Sequence, residues 1–190
     1  MAFRIKIAKE LDTQLLGRLS GKRHFAEVCR LLAEVPQGDA VLLDFQGVSH
    51  VTASWVNTMI GELYRWCAQK GNDLFPLLCN VRDEWLDEFQ LVADWTHQCY
   101  LLALAPEQPC EGARLIGSLD TGQGECLDAV IEQGETTGAA LERTRAQPNI
   151  RATAWNNRLR DLHRKRLLRR RRSGRERWYA PIVKKVVRDG

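Results

Sequence analysis

Residues 149–181 read NIRATAWNNRLRDLHRKRLLRRRRSGRERWYAP, and no other stretch limits the fold of this chain as tightly. Trp155, Leu159 and Leu162 follow one another at spacings of four and three, which puts them on one face of a helix. Thr153, Asn156, Asn157, Arg160 and Arg164 fall largely away from that face, and such side chains suit hydrogen bonding to base edges and phosphates. After Leu167 and Leu168 the helical period stops. Arg169, Arg170, Arg171 and Arg172 form a basic run, and Ser173-Gly174 signals a turn. Residues 175–179, with Arg175 and Arg177, resume with β-prone aromatics, and Pro181 limits that second strand. The expectation is an amphipathic helix followed by a basic β-hairpin. Most charge runs are only solvated faces. Here charge, helical period and hairpin signal coincide, which favours contact with nucleic acid. Trp155 shares the apolar stripe and reads as core rather than as a stacking surface.

The 190 residues suit one large or two small domains, and the net charge of +4 conceals an asymmetry. From Asn149 onward there are 15 Lys or Arg against 3 Asp or Glu, a net +12, while residues 1–148 carry −8. A basic end on an acidic body suggests a polyanion-binding unit on a regulatory module. Phosphate repels the acidic body, so only one end is expected to face DNA.

The helix, apolar pair, basic strand, Gly turn and aromatic strand resemble the tail of a bacterial winged helix-turn-helix regulator. TAWNNRLRDL occupies the recognition-helix place. The resemblance extends back to about Gln123, with a first helix over 126–132. A second helix would be capped by Thr136 or Thr137 and end near Arg145, and 146–149 would form the turn. Such domains often carry Gly between recognition helix and hairpin, and here Arg166 stands near that position. The resemblance implies an α+β fold for 123–190, with duplex DNA as the partner.

The first hundred residues alternate elements. FRIKI at 3–7 reads as a short strand. Residues 11–22 have no clear period, and Phe25, Val28, Cys29, Leu31 and Leu32 then have helical spacing up to Pro36-Gln37-Gly38. Residues 40–45, broken only by Asp44, suit a buried strand. Trp55, Met59, Ile60, Leu63 and Trp66 mark a second helix, stopping near Gly71-Asn72. Residues 74–79 suit another buried strand, against which Pro76 counts because it cannot donate to a ladder. Trp85, Phe89 and Val92 share a helical stripe, and residues 100–104 suit a third buried strand. Alternating strands and helices imply right-handed crossovers and a mostly parallel or mixed sheet. About 105 residues suffice for a core of their own. Pro106 and Pro109 mark 106–122 as a linker, within which 113–119 is either a short strand or part of the join.

VLLDFQGVSHVTASWVNTMIGEL, at 41–63, is similar to the signature region of STAS-like domains, relatives of the anti-sigma-factor antagonists. Asp44-Phe45 would end the buried strand, Gly47-Val48 would turn the chain, and Ser54 would start the next helix. GRLSGKRHFAEVCRLL at 17–32 fits the first helix of the bacterial subgroup. The resemblance covers residues 1–105 and implies an α/β domain that binds a kinase-like or other protein partner. It makes Ser54 a phosphoacceptor. The residues alone favour the plainer reading, in which Thr52 or Ser54 is a helix N-cap. A phosphate at a helix start would be tolerated by the dipole and would change a partner surface.

The six cysteines stand at 29, 67, 79, 99, 110 and 126, without the close spacing of a zinc site, and suggest reduced thiols in the cytoplasm. No signal peptide and no apolar run of about 18 residues is present, which argues against membrane association. His24, His50, His97 and His163 are scattered, and no spacing unites nucleophile, base and orienter. No phosphate-cradling Gly loop appears, so neither an enzyme, a metal nor a cofactor is expected. Two readings follow. One is a cytoplasmic DNA-binding transcription regulator with a STAS-like sensing or partner-binding module at 1–105. The other is a protein-interaction adaptor of a kinase or anti-sigma type partner switch, its basic end binding RNA or an acidic protein. Monomer and homodimer both remain open.

Overall fold

The computed structural model describes residues 3–69, 71–145 and 151–188. The expected turn at 146–149 lies outside them. Strand β1 (Phe3–Lys6) leads into the short α1 (Ile7–Glu10) and β2 (Gln14–Leu15), and α2 (Gly17–Leu32) follows. The stretch 11–22, without period in the sequence, therefore supplies β2 and the first turns of α2. Strand β3 (Ala40–Asp44) is buried at every position. After β4 (His50–Val51), which pairs with β2, one helical segment comprises α3 (Ala53–Val56), a π turn (Asn57–Gly61) and α4 (Glu62–Cys67). Strand β5 (Phe75–Cys79), α5 (Leu86–Thr96), β6 (Tyr100–Ala103) and β7 (Ala113–Ile116) complete the first part. The stretch 106–122, expected as a linker, thus contributes a strand. Among the described residues no helix is long and apolar enough to cross a membrane.

Six strands form one mixed sheet in the order β1-β3-β5-β6-β7-β10, where β10 is Val186–Val187 near the far end of the chain. Strands β1, β3, β5 and β6 run parallel, β7 is antiparallel to β6, and β10 returns parallel to β7. Pro76 sits inside β5, opposite Val41 of β3. Its carbonyl accepts from the Tyr64 hydroxyl (2.9 Å), and the bridge from β5 to β6 comes further on, at Leu78 and Leu102. A side chain thus occupies the proline's acceptor, two residues before the bridge to the neighbouring strand.

The strands read as unbroken apolar runs because both faces of the sheet are covered. Ile5, Val41, Leu43, Leu78 and Tyr100 pack with Val28, Trp55, Leu63, Phe89 and Val92 of the first-part helices. Leu42, Phe75, Leu77, Leu101 and Leu115 point the other way and pack against Leu127, Val130, Trp155, Leu159 and Leu162. These belong to α6 (Thr121–Gln133) and α8 (Ala152–Arg164), between which lies α7 (Gly138–Arg145). The basic end therefore forms half of the sheet's cover.

The expected hairpin is β8 (Leu168–Ser173) with β9 (Glu176–Pro181), in register from Leu168 opposite Pro181 to Ser173 opposite Glu176. Gly174, at φ 60°, takes the first position of the two-residue loop, where positive φ is required. Thr136 adds an antiparallel bridge to β9, exchanging both backbone hydrogen bonds with Tyr179 at 2.9 Å. Thr137 caps α7, its hydroxyl accepting from the Ala140 N–H (3.2 Å).

Candidate nucleic-acid interface

Helix α8 has two faces of opposite character. Trp155, Leu159 and Leu162 are buried against the sheet, as their spacing requires. Thr153, Asn157, Arg160 and Arg164 recur at i, i+4, i+7 and i+11, and all four are exposed along one outward stripe. Asn156 points about 100° away from Asn157. Its carboxamide lies over Gly138 at the start of α7, where an added Cβ would come within 2.5 Å of Oδ1. A side chain at 138 would push that carboxamide aside, so Asn156 faces the joint of α7 and α8.

Between α7, α8 and the hairpin lies a cleft of about 430 Å³. Asn156, Asn157, Arg160, Arg172, Arg175 and Arg177 line it, with Glu176 as an acidic contribution. Gly138 and Ala139 bring the N-terminus of α7 to its wall, where the helix dipole adds positive potential. Cross-strand partners share a face, so Arg172 and Arg177 project together.

The other side chains expected at the interface lie elsewhere. Thr153 and Arg164 extend the outward stripe beyond the cleft, and Arg164 is 3.7 Å from Asp161. Arg170 stands opposite the buried Tyr179. Arg169 and Arg171 take the hairpin's opposite face. The Arg169 Nε is buried without a partner, and Arg171 makes a two-point pair with Glu135. The basic run of four is thus divided by strand alternation, which was readable from the sequence, and by ion pairing, which was not.

Arg166 is a site the spacing left undefined. Its φ is 61°, the left-handed conformation that usually selects Gly after a helix. The Leu167 N–H reaches the Leu162 carbonyl and the Arg166 N–H reaches the His163 carbonyl, both at 3.0 Å, which is a Schellman closure of α8. The side chain explains why an arginine is found there. It is 2% exposed and donates Nη1 to Asp73 (2.9 Å) and to the Cys67 carbonyl (3.0 Å), while its guanidinium covers the Phe75 ring at 5.0 Å. A glycine would close the helix but could not tie it to the α4–β5 turn.

His163 belongs to the same cluster. Its Nδ1 donates to the Leu168 carbonyl (2.9 Å), leaving Nε2 to accept from Arg166 Nη2 (3.3 Å). Burial is the main cause holding its pKa down to about 4, with the Arg166 charge adding to it and Asp73 opposing. His24, whose Nδ1 accepts from the Trp55 indole (3.0 Å), is also lowered, by burial first and by Arg23. Both imidazoles fold neutral, whereas in the unfolded chain they titrate near 6.5. The contribution of each is therefore complete above pH 6.5 and is lost as the pH falls through its lowered folded value, about 4 for His163. Urea unfolding should show stability dropping by about 2 kcal/mol between pH 7 and pH 5 from His163 alone. A flat profile over that interval would contradict the neutral, buried assignment.

Ser54 is half-buried at the start of α3, its hydroxyl 3.2 Å from that of Thr52. Neither hydroxyl caps the helix. Thr52 occupies the N-cap position but accepts from the Gly17 N–H (3.1 Å), and the Ala53 N–H donates to the Glu88 carboxylate (2.6 Å) instead. The expected cap is corrected accordingly: an acidic side chain from α5 supplies it. Asp44 accepts from Asn80 (2.7 Å) and the Gln46 N–H (3.0 Å) and pairs with Arg4, while His50 contacts Ser49. Burial pushes the thiols of Cys67, Cys79 and Cys126 up to about 12.

No family model, curated protein or solved structure matches the chain. The geometry above therefore carries the functional reading alone.

Proposed function

We propose that the chain is a DNA-binding transcriptional regulator of the cytoplasm, with a winged helix-turn-helix unit over 123–190 and a STAS-like sensing or partner-binding unit over 1–105. The observation that carries this is the cleft where Asn157 and Arg160 of α8 meet Arg172, Arg175 and Arg177 of the hairpin. A helix with an exposed polar stripe beside a basic hairpin offers base-edge and phosphate contacts side by side. The order helix, one-residue bridge, helix, helix, hairpin supports the winged-helix reading of this unit. The order of strands and helices before it supports the STAS-like one, and Ser54 remains its proposed phosphoacceptor.

In this reading Thr153, Asn157 and Arg160 face base edges in the major groove, and Arg164, Arg172, Arg175 and Arg177 hold phosphates or the minor groove. Asn156 supports the joint between α7 and α8. An Asn amide pairs with adenine through one donor and one acceptor, and losing such a contact costs about 1–3 kcal/mol at one base pair. Asn157→Ala is expected to narrow the affinity gap between a selected target and a random duplex at fixed salt. Arg175→Ala should weaken both alike. Should Asn157→Ala keep the full gap, α8 is not the reading element. Tighter binding of RNA than of any duplex would favour the adaptor reading instead.

A further inference from the structure

Arg171 is exposed on a basic hairpin, yet its charge is already matched. Its Nε donates to Glu135 Oε1 at 2.6 Å and its Nη2 to Oε2 at 2.7 Å, while its guanidinium lies over the Trp178 ring at 5.3 Å. Glu135 follows Gly134, the C-cap of α6, and the next residue, Thr136, makes the backbone bridge to Tyr179. Residues 135 and 136 thus hold both strands of the hairpin, β8 by a side chain and β9 by the backbone. A carboxylate presents to a guanidinium the same fork of two oxygens that a phosphate does. The place a nucleic-acid phosphate would take on Arg171 is filled from within the chain.

Resting on the DNA-binding reading, we propose that Glu135 is a positioning residue that sets specificity: it holds Arg171 against the end of α6 and withholds it from phosphate. Of the hairpin's arginines, only the cleft-facing ones then touch the duplex. Sequence-independent attraction grows with each phosphate neutralised, so withholding one arginine lowers the background against which base contacts discriminate. The pair is solvent-exposed, 55% for the Arg171 side chain and 37% for that of Glu135, so its loss leaves the fold in place.

The test uses the full chain, a random-sequence duplex and a salt titration of affinity, for Glu135→Gln, Arg171→Ala and the double variant. Glu135→Gln should bind several-fold more tightly and steepen the log–log salt slope by about one unit, the value of one added phosphate contact. Arg171→Ala should keep the wild-type slope, and the double variant should return to it. In the wild-type complex the Arg171 Nε–H NMR signal should stay where Glu135 puts it in the free chain. If Arg171→Ala alone flattens the slope by about one unit, Arg171 already holds a phosphate and the inference is overturned. An unchanged slope in Glu135→Gln overturns it too. Wild-type chain that binds no duplex at any salt sinks the DNA-binding reading itself, and this inference with it.

Discussion

Replacing Arg172, Arg175 and Arg177 together by Ala is expected to weaken binding to every duplex about a hundredfold or more near 0.1 M salt, and to remove about three units from the salt slope. The three line one cleft with Asn157 and Arg160, and all are exposed. Each phosphate neutralised releases condensed counterions, so the slope counts contacts while the affinity reports their sum. Loss of net charge alone would act anywhere on the surface. The comparison is therefore Lys184→Ala with Lys185→Ala, two exposed cations next to β10 rather than in the cleft. That variant should change the slope little. Equal losses in the two variants would mean that the cleft has no privileged role.

The first part of the fold was legible because its strands announce themselves. Residues 40–45 and 74–79 are apolar without alternation, which fits strands buried on both faces. What the sequence did not reveal is that the second face is covered by the basic end. Leu42, Phe75 and Leu77 carry no mark of their partners, and Leu127, Trp155 and Leu159 come from fifty or more positions away. Residues 106–122 stayed ambiguous for a related reason. Pro106 and Pro109 are turn residues, but Ala113–Ile116 is too short a run to distinguish a strand from a join until β6 is there to pair with it.

The site was legible in residue type and less so in direction. Helical spacing separated Trp155, Leu159 and Leu162 from the polar positions, and strand alternation could have divided Arg169 and Arg171 from Arg170 and Arg172. Spacing could not assign Asn156 to the α7 joint, because the deciding feature is the missing Cβ of Gly138. Nor could it foresee that Glu88, thirty-five positions after Ala53, supplies the cap expected of Thr52 or Ser54. Side-chain partners far apart in sequence leave no periodic trace.

Arg166 gives the second large effect, and variants at this position separate backbone from side chain. Arg166→Ala should destabilise the chain by about 3 kcal/mol, measured by urea unfolding at pH 7. That lies at the lower end of the range for breaking a buried pair, since the Asp73 side chain is 32% exposed and part of its charge is already solvated. The Cys67 carbonyl loses its donor in the same step. Arg166→Gly removes the same contacts but adopts a φ of 61° without penalty, so it should be more stable than the Ala variant by about 1 kcal/mol. Asp73→Ala with Arg166→Ala should cost less than the two single losses added, because each single variant leaves a partner stranded. Equal stability of the Gly and Ala variants would show that the left-handed backbone carries no strain. Strict additivity of the double variant would show that Asp73 and Arg166 do not act as a pair. If both results hold as expected, the corner joining α8 to the hairpin is fixed from the α4–β5 turn, and the angle at which the cleft's two walls meet depends on the first part of the chain.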